Sequence, residues 1–524
     1  MMAIMEQNEV WLLVGLFSVA IPLVALARRF NVPYPIVLVL GGLILGFIPG
    51  LPAITLDPNL VLVIFLPPLL YWEAVTAPTD VMRANWGQIW VLALGLVTAT
   101  TVVVAAVIHM AVPGIPWAMA FVLGAIVAPT DELASVPVLE SLRMPRHLIA
   151  IVEGESLLND ASSLILYVFA LTAAVTGAFN LGDAAIQFVV VTVGGILLGL
   201  AVGRLAVEGW KRIADSQLQA IISVNLPYLT YSLAARLGLS GVLAVVYAGI
   251  LANRFTPVVI TPSSRLRAAG FWDTLVFLIN AVLFVLVGLQ LHGIAGAVFA
   301  EYSVPTVLWY AFLVNVTIIV VRFAWLLGEE YLPVIGAASE HPSGDWKHAV
   351  IAGWSGLRGA VSLAAALAIP LTTAAGQQLP FRNLVIFLTF SVILVTLVLG
   401  GLTLPSIIRA LRVGDDSSEE EEDIRRGVLT MSEAALRELG AIESEGNVPA
   451  DYVARLRDRY EHRRRHVDGH PDRELPIVDA ERRLIDAERR ALIELRERGE
   501  IDNTAMRRLQ RVLDVSEERI EPVR

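Results

Sequence analysis

From Met1 to about Gly414 the chain is a series of apolar runs of about 20 residues, long enough to cross a bilayer. That pattern constrains the fold more than any motif. It predicts an all-α polytopic membrane protein. Spans are expected near 10–27, 34–50, 58–75, 88–112, 117–138, 147–176, 184–206, 217–236, 240–253, 270–291, 303–327, 349–371 and 383–411, about thirteen in all. The chain is 56% hydrophobic, against about 45–50% for a soluble domain. The excess ends at Asp415.

Beyond that point the composition is that of a soluble chain, with 29 Asp and Glu beside 21 Arg and no Lys. The net charge of -10 therefore belongs mostly to the tail. No basic footprint for nucleic acid is present. The absence of cysteine removes disulfides, thiolate metal sites and cysteine nucleophiles together. The N-terminus shows neither a basic region nor a small-residue cleavage site, so Val10 to Ala27 reads as the first span.

Basic residues set the orientation. Arg28 and Arg29, Arg83, Arg143 and Arg146, Lys211 and Arg212, Arg254, Arg265 and Arg267, Lys347, and Arg409 and Arg412 follow alternate spans. The intervening loops are nearly free of Lys and Arg. The alternation predicts an outside N-terminus, a cytoplasmic C-terminus and an odd number of spans.

Two spans are interrupted. Ala128-Pro129-Thr130-Asp131-Glu132 breaks the fifth, and Gly353-Trp354-Ser355-Gly356-Leu357-Arg358-Gly359 breaks the twelfth. Proline removes a backbone donor and clashes with the preceding turn. Inside a membrane such a break is tolerated only where protein or a wet cavity satisfies the freed groups. Two broken helices far apart in sequence point to a transporter binding site.

Charges inside the sixth span sharpen this reading. Val152 to Ser163 reads V-E-G-E-S-L-L-N-D-A-S-S, with Glu153, Glu155 and Asp160 in one apolar stretch. Ionised groups at that depth are costly, rare and usually functional. On a helix, Glu155 and Asp160 point in clearly different directions, which suggests one structural and one chemical role. Burial disfavours the charged form of a carboxyl, so Asp160 can bind either a cation or a proton. A hard cation takes oxygen ligands. Asn159, Ser156 and Thr130 can supply them, together with backbone carbonyls freed near Asp131. Asp131 has two open readings, as a cap of the second half-helix or as an electrostatic part of the cation site. Arg358 keeps its proton and needs a partner. Glu155 is the first choice and Glu153 the alternative. Glu73 lines a cytoplasmic funnel or snorkels to the interface. Arg322 reads as an interfacial anchor, and His109 as a packing residue.

After the last span, residues 415–425 read as an acidic solvated linker. Residues 426–524 read as a helical cytoplasmic regulatory domain of short amphipathic helices, punctuated by Pro449, Gly469 and Pro471. One of them is expected over Val478 to Glu497.

Glu153-Gly154-Glu155-Ser156-Leu157-Leu158-Asn159-Asp160 resembles the signature of the monovalent cation/proton antiporters, in the sodium/proton exchanger branch. Ala128-Pro129-Thr130-Asp131, Gly356-Leu357-Arg358-Gly359-Ala360 and Leu66-Pro67-Pro68-Leu69-Leu70 resemble that family's other motifs, in the right order. The resemblance covers essentially the whole of residues 1–414. It implies a homodimer with a dimerisation domain and a mobile core, in which two broken helices cross. It matches Asp160 to the ion-binding aspartate, and Thr130, Ser156 and Asp131 to residues in or beside the cation site. Asn159 matches the asparagine of the electroneutral branch, where the electrogenic branch has a second aspartate. Glu155 and Arg358 match an intramembrane ion pair. Glu132 departs from the family, which often has proline there, and its role is unassigned.

The combined expectation is an electroneutral exchange of cytoplasmic Na+ (or K+ or Li+) for external H+ in a bacterial inner membrane, with Na+ bound at Asp160 and no cofactor. A cation channel, an intramembrane enzyme and an ion-sensing membrane protein are the alternatives. No selectivity filter, second matched carboxylate or zinc motif favours the first two.

Overall fold

A computed structural model describes residues 7–30, 32–48, 63–132, 135–177, 181–213, 215–331, 346–411, 413 and 417–467, with short pieces between 483 and 513. The chain forms two compact units, Met1–Asp415 and Asp416–Arg524. Among the described residues both are helical, with no strand beyond isolated bridges.

The first unit begins with α1 (Gln7–Phe30), α2 (Tyr34–Gly46), α3 (Leu66–Thr76) and the short α4 (Thr79–Ala84). Next come α5 (Trp86–Trp90) and α6 (Val97–Ala111), joined without interruption by a π-helical segment over Val91–Leu96. The first broken helix is α7 (Trp117–Val127) and α8 (Val136–Ser141). It is followed by α9 (Arg146–Thr176), α10 (Leu181–Arg212), α11 (Ser216–Arg236), α12 (Gly241–Val259), α13 (Pro262–Glu301) and α14 (Val304–Tyr331). The second broken helix is α15 (Trp346–Trp354) and α16 (Ala360–Leu367). The unit closes with α17 (Arg382–Val395) and α18 (Gly401–Leu411), joined through a π-helical segment over Thr396–Gly400.

Local chemistry accounts for these boundaries. Asp215 accepts from the backbone of Gln217 and Leu218, Ser240 from Leu243, and Thr261 from Ser264, each satisfying a free N–H at a helix start. Pro145 precedes α9, and Gly177 at φ 71° ends it in the left-handed region.

Among the described residues six helices are long and apolar enough to cross a membrane, and Tyr34–Gly46, Trp117–Val127 and Gly241–Thr256 are shorter apolar helices. The broken and short elements keep length alone from fixing a count of thirteen. Positions 49–50 and 58–62 of the expected second and third spans lie outside the described residues, as does Arg412. Large apolar side chains project outward where lipid would meet them. Ile186, Val190 and Leu197 on α10 and Leu308, Phe312 and Val320 on α14 are each more than half exposed.

Close helix approach organises the interior. A Cβ on Gly42 of α2 would stand 2.2 Å from the Val285 carbonyl oxygen of α13, and one on Gly288 would stand 2.1 Å from that of Val39. The backbones therefore touch where no side chain intervenes, as small residues allow in membranes.

In the second unit, α19 (Ser417–Glu445) and α20 (Ala450–Val467) pack together and are tied by an Arg457–Glu443 ion pair. Residues Glu419–Asp423, expected to be a linker, lie within α19. Acidic side chains favour a helix N-terminus, and Glu422 pairs at 2.7 Å with Arg425 one turn on. Gly469, Pro471 and Val478 lie outside the described residues.

Candidate functional site

The two helix breaks meet. The Asp131 backbone N–H donates to the Leu357 carbonyl at 2.7 Å, forming an antiparallel bridge between the interruptions. Each break frees carbonyls at the end of its first half-helix, and an arginine from another element satisfies them. Arg358 Nε donates to the Val127 carbonyl of α7 at 3.1 Å, and Nη1 donates to Gly356. Arg322, from α14, donates through Nε to Gly353 at 3.0 Å and through Nη2 to Ala352 at 2.8 Å, both on α15. A cation at a helix C-terminus also complements the helix dipole.

This geometry corrects the expected ion pair. Glu155 is held by Arg322, not Arg358: Nη1 reaches Oε1 at 2.6 Å and Nη2 reaches Oε2 at 3.0 Å. Glu155 and Arg322 are 2% and 3% exposed, so the pair is buried. Arg322 is therefore no interfacial anchor. Carbonyls freed at both helix breaks supply the hydrogen bonds of Arg358, while Arg322 presents its fork to the carboxylate across the bundle. Glu153, the alternative partner, is half-buried on the same helix.

From Glu155 a hydrogen-bond chain runs to the ion-site residues. Thr130 Oγ1 donates to Glu155 Oε1 at 3.2 Å and accepts from Asn159 Nδ2 at 2.8 Å. Ser156 Oγ donates to the Thr130 carbonyl at 3.0 Å. These contacts fix the Asn159 amide so that its oxygen faces away from Thr130. Asn159 is fully buried, and its Oδ1 has no hydrogen-bond partner. Its neighbour Asp160 is 6% exposed, and no hydrogen-bond donor among the described residues reaches its carboxylate. Consecutive positions of α9 thus bury a carboxylate and an amide oxygen that has no hydrogen-bond partner, both of them acceptors. Such a site suits a cation or a proton and disfavours an empty charged state.

The structure thus brings Thr130, Glu155, Ser156 and Asn159 together by direct contact, next to Asp160. Asp131 lies with its carboxylate against the start of α16, where a Cβ on Gly359 would stand 1.4 Å from Oδ2. That position suits a carboxylate facing a helix N-terminus. Glu73 is half-buried on α3. Glu132 Oε2 is shut off from solvent with no hydrogen-bond partner. His109 is satisfied, with Nδ1 2.8 Å from the Ile115 carbonyl and its ring stacked on Trp117.

Sequence reasoning missed Arg322 and the π-helical segments. The available signal for Arg322 was its place well inside the 28-residue helix Val304–Tyr331. Both π-helical segments touch the site region: Ser162 Oγ on α9 donates to Ala93, and Thr396 Oγ1 accepts from the Arg358 N–H at 3.2 Å. Such segments often occur at functional positions.

A polytopic helical bundle whose interrupted helices cross at a buried carboxylate site has the architecture of an ion-coupled transporter. Comparison with known sequences narrows the class. The family described as "Sodium/hydrogen exchanger, transmembrane" matches residues 14–410, and the chain belongs to that family. It is 35% identical to a Mycobacterium tuberculosis protein named as an uncharacterized Na+/H+ exchanger, over 96% of this chain and 95% of that one. It is 32% identical to the sodium, potassium, lithium and rubidium/H+ antiporter of Bacillus subtilis, over 76% of this chain and 61% of that one. The fold is similar to that of the sodium proton antiporter MjNhaP1 from Methanocaldococcus jannaschii, with a TM-score of 0.62 at 20% identity, covering 77% of this chain and 98% of that one.

Proposed function

We propose that this protein is an electroneutral secondary antiporter that exchanges cytoplasmic Na+ (or K+ or Li+) for external H+ by alternating access. The observations that carry this reading are the buried Asp160 carboxylate and, on the residue before it, the unpaired Asn159 amide oxygen. A cation and a proton compete for Asp160. Moving the bare carboxylate through the protein is costly, so the site crosses only when loaded. Asn159, Ser156, Thr130 and the carbonyls at the Asp131 break supply further oxygens to the cation. Glu155 holds the Thr130 hydroxyl in place and is itself held by Arg322, and Arg358 anchors the second break on the first. One exchanging carboxylate gives one-for-one stoichiometry. The family membership and the name of the B. subtilis relative support cation/proton exchange and a choice among alkali ions.

In this reading the chain works as a homodimer in the bacterial inner membrane, with its N-terminus outside and the regulatory unit in the cytoplasm. It serves pH and cation homeostasis. Glu73 lines the cytoplasmic funnel. The test is proton movement driven by Na+, K+ and Li+ in proteoliposomes, at zero and at imposed membrane potential. Equal exchange at both potentials is expected. Rates that scale with potential would contradict electroneutrality, and cation flux without counter-moving protons would establish a channel.

A further inference from the structure

We propose that the lipid-facing side of α10 and α12 carries a binding site for an anionic phospholipid, with Arg204 and Arg254 holding its phosphate. The two helices run parallel and in close contact. Cβ atoms on Gly195, Gly199 and Gly203 of α10 would stand 2.7, 2.2 and 3.1 Å from Ser240, Ala244 and Ala248, so each step of four residues on one helix is matched on the other. Arg204 is therefore level with residue 249 of α12. Its guanidinium nevertheless lies over the ring of Phe255, 5.8 Å from the centroid. Six residues of helix rise about 9 Å, so the side chain stretches along the helix pair toward the end that carries Lys211 and Arg212.

Arg254 precedes Phe255 and so stands at the level that the Arg204 guanidinium reaches. Both arginines are exposed. Among the described residues no carboxylate lies within 4 Å of either, and Glu208, one turn beyond Arg204, is engaged by Lys211 at 3.7 Å and Arg212 at 3.1 Å. Two arginines on a helix surface that meets lipid call for an anion, and a phosphodiester at headgroup level matches the guanidinium fork. A zwitterionic headgroup would bring its ammonium to a place with no carboxylate free to take it. The acyl part has a path as well. Val193, Leu197 and Leu200 are exposed and share the face of α10 that bears Arg204, at helical spacing. Paired positive charge at the end of an exposed apolar strip selects a lipid over a free phosphate.

The site lies on the outer surface of the first unit and makes no use of Asp160, so it does not rest on the antiport reading above. Separate snorkelling of each arginine into the headgroup layer would need no such site. The two differ in saturation and in selectivity for headgroup charge.

The test uses the full chain in a neutral detergent, with tritiated phosphatidylglycerol as the probe. Saturable binding is expected, and phosphatidylcholine with the same acyl chains should compete at least about tenfold more weakly. Arg204→Gln and Arg254→Gln should each weaken binding about fivefold. The double variant Arg28→Gln/Arg29→Gln removes two charges from the exposed end of α1 and should leave binding unchanged. Binding that never saturates, or equal competition by phosphatidylcholine, would overturn the site, and neither result needs a variant to fold. Equal weakening by the α1 variant and by Arg204→Gln/Arg254→Gln would overturn the assignment to these two arginines in favour of bulk charge attraction. Inorganic phosphate should not compete; competition by it at the concentration of the lipid would overturn the choice of a lipid.

Discussion

Arg322 holds more of the site together than any other residue. It neutralises Glu155 and satisfies two carbonyls of the second broken helix at once. Removing one member of a buried pair leaves an uncompensated charge, so Arg322→Met should cost about 3–5 kcal/mol of stability. The double variant with Glu155→Met should recover much of that loss, as thermal unfolding in detergent would show. A second prediction concerns Asn159, whose amide oxygen is buried and unpaired and which precedes Asp160 in the chain. Asn159→Asp adds a second titratable carboxylate, and exchange should then respond to imposed membrane potential. Asp160 and Glu155 were legible in sequence because charges stand out in an apolar run. The partner of Glu155 was not, since several arginines lay in candidate spans and only the three-dimensional path of α14 brings Arg322 to it. The carbonyls exposed by the break took up Arg358, a competition that side-chain pairing arguments leave out.

The broken helices are the elements that make the site. Proline at 129 and the glycines at 353, 356 and 359 announced both interruptions in the sequence. Their mutual contact at Asp131 and Leu357 needed the fold. Gly359 is required at that contact, because any Cβ would collide with the Asp131 carboxylate. Gly359→Ala should force the two breaks apart and lower exchange at least tenfold, measured as initial rate at saturating cation. The contact between α2 and α13 offers a paired test on one helix. Gly288→Ala meets the Val39 carbonyl and should destabilise by about 1–3 kcal/mol. Gly293→Ala has nothing within 4 Å and should stabilise by about 0.5–1 kcal/mol through helix propensity. Thermal unfolding of the two variants reads both signs. The π-helical segments had no sequence signature, since Val91–Leu96 and Thr396–Gly400 share the apolar composition of their flanks. The helical character of the acidic run at 419–423 was obscured by reading charge density alone, without the Arg residues one turn further on.

At the scale of the molecule, apolar patterning separates a membrane-embedded unit from a charged one, and the two units meet that description at Asp415 and Asp416. Deletion of residues 416–524 should leave the first unit folded and exchange present, with a shifted pH range. Complete loss of exchange in a folded truncation would favour an ion-sensing role for the whole chain. The central claim is that a cation and a proton share Asp160. The direct measurement is Na+-driven proton movement in proteoliposomes of wild type and Asp160→Asn, reconstituted at matched density. Exchange in the wild type and none above protein-free vesicles in Asp160→Asn is the predicted result. Exchange that persists in Asp160→Asn would contradict it and transfer the role to Asp131 or Glu132.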